Sequence, residues 1–130
     1  TNVFSVCRAS QSLWAYFGNK LEQHNDWHKQ STYKTEQCHE LKFDPKYNNL
    51  SGYINKVNSR HHQVMLNSAE ILGNLEVVAV AKEGKEVYTD IVEIWKHKND
   101  KIWGVQFHPE NHDYTDELCP KIIDQLLNNE

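Results

Sequence analysis

Apolar positions along this chain fall mostly into short alternating runs, and only two stretches carry helical spacing. NVFSV, Asn2 to Val6, predicts a short strand that ends at Cys7. In the RASQSLWAYFG that follows, Ala9, Leu13, Trp14 and Phe17 recur at helical intervals and Gly18 is a natural stop. Asn19 to Asn49 is polar and reads as loops and short strands, with a strand candidate at ELKF, Glu40 to Phe43, before Pro45. YINKVNS, Tyr53 to Ser59, suggests a short strand or turn leading into RHHQ. LEVVAVAKEG, Leu75 to Gly84, is a well-marked strand closed by a turn. TDIVEIWKH, Thr89 to His97, and KIWGVQF, Lys101 to Phe107, form a hairpin signature, with Asn99 and Asp100 tolerant of positive φ. Near the end, Leu118, Ile122, Ile123, Leu126 and Leu127 make one helical face, with Pro120 in the first turn.

Composition narrows the partners. At 130 residues the chain is one domain or less. Fourteen basic against eighteen acidic residues, a net charge of -4 and no run of Lys or Arg leave no footprint for nucleic acid or an anionic membrane. Nothing approaches a transmembrane span or a secretory leader, so a soluble protein is expected. Cys7, Cys38 and Cys119 are odd in number, widely spaced and without a CxxC pair, which fits reduced thiols in a cytoplasm rather than disulfides or a structural zinc site. The chain begins with Thr1 rather than Met and enters a core-type strand at once, as a fragment would.

The chemistry-bearing positions lie at the two ends of this pattern. A strand ending in Cys7 and turning directly into a helix has the form of a nucleophile elbow, where the helix amino end can depress a thiol pKa and hold an oxyanion. In GVQFHPE, Gly104 to Glu110, His108 and Glu110 are two apart around Pro109, so on extended backbone they share a face and the carboxylate can orient the imidazole. Each element also has a plain structural reading: a small core thiol, and a strand that ends in a polar turn. Together they supply a nucleophile, a base and an orienting group.

Three motifs in order carry a resemblance. SVCRASQ, Ser5 to Gln11, resembles a Gly-x-Cys-Arg-Gly-x-Gln elbow; VNSRHHQ, Val57 to Gln63, resembles a Val-Asn-Ser-x-His-His-Gln motif; and GVQFHPE resembles the closing motif of the γ-glutamyl hydrolases in the class I glutamine amidotransferase-like superfamily. The similarity runs from Val3 through Glu110 and is greatest to the branch typified by γ-glutamyl-γ-aminobutyrate hydrolase. Arg8 and His61-His62-Gln63 favour this hydrolytic branch over ammonia transfer. Two departures stand out: the glycines two before and two after the nucleophile are Ser5 and Ala9 here, where a tight turn leaves little room for a Cβ. The resemblance implies an α/β three-layer sandwich with a mostly parallel central sheet, flavodoxin-like in layout. Residues 1–130 would be the carboxy-terminal part of that single domain, without its amino-terminal strands and helices and their glycine-rich oxyanion loop.

The same resemblance implies a mechanism that needs no cofactor and no metal. Cys7 would attack a γ-glutamyl amide to form a thioester, His108 would move the proton, Glu110 would hold the imidazole and the Arg8 amide would help bind the oxyanion. Arg8, Gln11, Ser59, His61, His62 and Gln63 would line the substrate, a small γ-glutamyl molecule, with a homodimer or a synthase partner left open. Three other readings remain: the glutaminase domain of an amidotransferase; a truncated, non-catalytic remnant; and a metal site among the eight histidines, where His24 with His28, Cys38 with His39, and His108 with His112 are close in sequence but fix no third ligand.

Overall fold

The computed structural model describes residues 2–23, 39–50, 56–57, 63–67, 70–83, 86–106 and 124. Their centre is one mixed sheet of eight strands, whose main path runs β1 (Val3–Val6), β8 (Ile102–Val105), β7 (Glu86–His97), β6 (Leu75–Glu83), β3 (His39–Phe43), β4 (Lys56–Val57). The remaining strands are β2 (Leu21–Gln23), paired to β5 (Gln63–Leu66), which in turn joins β7. β1 and β8 are parallel, and the other pairings among the described residues are antiparallel. The expected α/β sheet is therefore present, but among the described residues it is mixed rather than mostly parallel, with its parallel part at β1/β8 and an antiparallel extension beyond it.

The strong patterns become the long elements. LEVVAVAKE is β6, and β7 begins three residues before the predicted Thr89, at Glu86. The β7/β8 hairpin closes without positive φ at Asn99 or Asp100, since among described non-glycine residues only Cys7 and Asn74 adopt it. Instead the His97 imidazole caps the turn, its Nδ1 accepting the amides of Asn99 (3.1 Å) and Asp100 (2.9 Å). ELKF lies in β3, and β4 falls inside the predicted Tyr53–Ser59 stretch. β2 and β5 are too short to declare themselves by alternation. The predicted carboxy-terminal helix lies outside the described residues except for Asp124, which is helical.

The helix α1 (Arg8–Tyr16) stops where Gly18 adopts φ 100°. The Gly18 amide reaches the Ala15 carbonyl and the Asn19 amide reaches that of Trp14, the paired bonds of a Schellman cap. The buried face of α1 departs from the predicted one at Ala9 and takes in Ser10 and Gln11. Ser10, Gln11 and Trp14 are buried, Leu13 and Phe17 are half-buried, and Ala9 is exposed. The Trp95 indole N–H donates to Ser10 Oγ at 2.9 Å, and the Trp14 indole packs against that of Trp95 with centroids 6.2 Å apart. A polar anchor, rather than an apolar stripe alone, seats this helix.

Both faces of the sheet are covered. On the α1 face Trp14, Met65, Leu75, Val92 and Trp95 form one cluster; Phe43, Tyr47, Leu50, Val78, Ala79, Ile94, Trp103 and Val105 form another. Tyr47 and Leu50 reach the second cluster from a 3-10 turn, Pro45–Leu50, initiated by Asp44, whose side chain accepts the Lys46 amide at 3.0 Å. Gly104 stands opposite both Ser5 of β1 and Trp95 of β7, and a Cβ there would run into the Trp95 indole and Ser10 Oγ. Its bare backbone leaves room for the indole beneath the helix that follows Cys7.

Candidate active site

Cys7 is the hinge between β1 and α1, and its backbone is strained. It sits at φ 49°, ψ -107°, a region that residues with a Cβ rarely adopt and that costs about 1–3 kcal/mol. Bonds on both sides hold it there. The Cys7 amide donates to the Val105 carbonyl at 2.8 Å, extending the β1/β8 ladder by one residue, while the Cys7 carbonyl accepts the Gln11 amide at 2.9 Å as the first turn of the helix. The strand thus ends and the helix begins on the same residue, the elbow expected from the sequence.

The two departures from the glycine pattern find room. The Ser5 side chain is buried, and its hydroxyl donates to the Trp103 carbonyl at 2.9 Å, which turns a crowded position into a tie between β1 and β8. Ala9 faces solvent, so its methyl group meets no opposing wall. Neither substitution closes the elbow.

The sulfur lies at the amino end of α1. The leading N–H groups of a helix have no intrahelical acceptors, and together with the dipole they favour a thiolate or an oxyanion at this point. The first turn, Arg8 to Gln11, contains no carboxylate to compete for that positive end. Arg8 itself is exposed, and Cys7 is half-buried and outside any disulfide. A thiol so placed can act as a nucleophile, and the Arg8 amide can receive developing charge.

Gln106 closes the site from beneath. This residue directly follows β8 and is fully buried; its Nε2 donates to Cys7 Sγ at 3.6 Å and its Oε1 accepts from Gln11 Nε2 at 3.1 Å. Its own amide donates to the Glu93 carbonyl at 2.8 Å. Glu93, also wholly buried, is the extra residue of a β-bulge: Ala79 pairs with Ile94 and Val80 with Val92, so nothing on β6 stands opposite it. Sequence reasoning passed over both residues. Gln106 lies within GVQFHPE, where the histidine and glutamate draw the eye, and Glu93 is signalled by a lone charge inside the apolar run IVEIW.

The structure brings Cys7, Arg8 and Gln11 together at one helix end. Gln11, expected to touch substrate, is buried and already bonded to Gln106. Gln63 opens β5, opposite Gln23. His108, Glu110, Ser59, His61 and His62 lie outside the described residues, as do His24, His28, Cys38 and His112. Among the described residues no group of His, Cys, Asp and Glu could hold a metal, and no helix is long and apolar enough to cross a membrane.

Against this geometry, the model of the Peptidase C26 family matches residues 1–110. The chain belongs to the Peptidase C26 family. Its mixed α/β sheet matches the fold of solved glutamine amidotransferase-like structures. No curated protein matches this C26 chain. Among solved structures it is similar to a protein from Thermoplasma acidophilum described as a candidate component of GMP synthase, with TM-score 0.64 and 17% identity over 98% of this chain and 58% of the other. It is also similar to a glutamine amidotransferase from Thermotoga maritima, with TM-score 0.54 and 12% identity over 97% of this chain and 48% of that one. At such identities the likeness is one of fold, and this C26 chain spans about half the length of these solved relatives.

Proposed function

We propose that this C26 chain carries the nucleophile of a cysteine-dependent hydrolase that cleaves a γ-glutamyl amide, releasing glutamate and an amine. The observation that supports it most is the strained Cys7 backbone, φ 49°, held at the junction of β1 and α1. A cysteine at positive φ on a strand-to-helix turn is strained, and it places the sulfur beside the leading amides of the helix.

In this reading the Cys7 thiolate adds to the γ-carbonyl carbon, and the Arg8 N–H helps hold the resulting oxyanion. Collapse expels the amine, protonated by His108, and leaves a γ-glutamyl thioester. His108 then takes a proton from water, whose oxygen attacks the thioester, and glutamate departs as the thiolate is restored. Glu110 orients the imidazole, and the Val57–Gln63 segment, with Ser59, His61, His62 and Gln63, contacts the substrate. The hydrolytic assignment rests on Arg8 and the His61-His62-Gln63 run. The GMP synthase and glutamine amidotransferase descriptions of the solved neighbours favour a second reading, a glutaminase that passes ammonia to a synthase.

Turnover of a γ-glutamyl anilide, with glutamine in parallel, tests both. Hydrolysis of the anilide by the protein alone, abolished in Cys7→Ser, is the expected result. Activity on glutamine only in the presence of a synthase moves the protein to the second reading, and wild-type rates in Cys7→Ser remove Cys7 as nucleophile.

A further inference from the structure

Gln106 makes contacts that a space-filling core residue does not need. It is completely buried, yet its amide is used at both ends: the carbonyl oxygen takes the Gln11 side chain at 3.1 Å and the NH2 group points at Cys7 Sγ at 3.6 Å. With Gln11 Nε2 donating to Oε1, the Nε2 of Gln106 is left for the sulfur. Gln11 is in turn held on α1, and Gln106 by its own backbone bond to Glu93. The chain Gln11–Gln106–Cys7 therefore ties the helix, the end of β8 and the nucleophile into one orientation.

We propose that Gln106 is a positioning residue for the nucleophile, aiming Cys7 Sγ and stabilising it as the thiolate through its side-chain N–H. This deepens the hydrolase reading above and rests on it for catalytic consequence, but the contact itself is independent of substrate. A hydrogen bond to an ionised acceptor is worth roughly twice one to a neutral group, so the donor favours S⁻ over S–H. Arg8, next to Cys7, and Glu93, whose carbonyl accepts the Gln106 amide, are the charged groups at hand on α1 and β7, and neither changes when Gln106 is replaced.

The test is the pH profile of iodoacetamide alkylation at Cys7, followed on its own peptide by mass spectrometry so that Cys38 and Cys119 do not contribute. Gln106→Met keeps volume and removes the donor. The expected result is a midpoint raised by about one pH unit and an alkylation rate about tenfold lower below that midpoint. If Gln106→Met does not fold, Gln11→Met keeps Gln106 but frees its amide, and a rise in the same direction is expected. A folded variant with a lower thermal midpoint but the wild-type alkylation profile overturns the proposal, because a purely structural glutamine would behave that way. A shifted profile in a protein that hydrolyses no γ-glutamyl amide supports Gln106 as the positioning residue and overturns the hydrolase reading instead.

Discussion

Gly104 lies directly across the β7/β8 ladder from Trp95, and the indole occupies the space a side chain at Gly104 would need. The same indole donates to Ser10, so the absence of a Cβ on one strand determines how α1 sits over the sheet.

Gly104→Ala should therefore cost about 1–3 kcal/mol, as overpacking of a filled core does. Denaturant unfolding gives the loss, and the near-ultraviolet dichroism of the protein, to which Trp95 contributes, reports whether its aromatic packing has been disturbed. An unchanged transition would mean the sheet absorbs the methyl group elsewhere.

Relief of strain at Cys7 gives a prediction of opposite sign. Cys7→Gly places the one residue that accepts φ 49° without penalty, and it should raise stability by about 1 kcal/mol while eliminating hydrolysis. Cys7→Ser, which retains the Cβ, should eliminate hydrolysis without that gain. Thermal unfolding of the two side by side separates strain from chemistry.

His108 and Glu110 should differ in weight. If the imidazole moves the proton and the carboxylate only orients it, His108→Asn lowers kcat by about 10²–10⁴, and Glu110→Gln by clearly less. Equal losses would assign the proton to a different group.

Tyr47 and Glu76 predict how stability responds to pH. Burial pushes the Glu76 carboxyl up, but hydrogen bonds from Tyr47 and Lys46, with the charges of Lys46 and Lys96, bring it net below its ordinary 4.5. Burial first, then the bond to Glu76, raises the Tyr47 phenol well above its ordinary 10.0. The carboxylate's contribution is complete above pH 4.5 and is lost as pH falls through the lowered value. The phenol's contribution is complete below pH 10.0 and is lost as pH climbs towards its raised value. Tyr47→Phe should flatten both limbs of a stability-versus-pH curve; limbs that persist unchanged would place the titration on other groups.

The sequence by itself determined the elements whose pattern is local. Alternation marked β6, β7 and β8, the Gly18 stop placed the end of α1, and a cysteine after an apolar run marked the elbow, because strand pleat, helix period and cap geometry are written in neighbouring residues. Tertiary structure decided what depends on partners far along the chain. Ala9 faces water and Ser10 is buried because Trp95, 85 residues away, offers Ser10 an indole N–H. Gln106 becomes part of the site because the end of β8 comes to rest beneath Cys7, 99 residues away, and Glu93 is a bulged, buried carboxylate because β6 and β7 are one residue out of step. No periodicity records such contacts: hydrogen bonds of polar side chains across strands are set by register and twist, which form only when the sheet does.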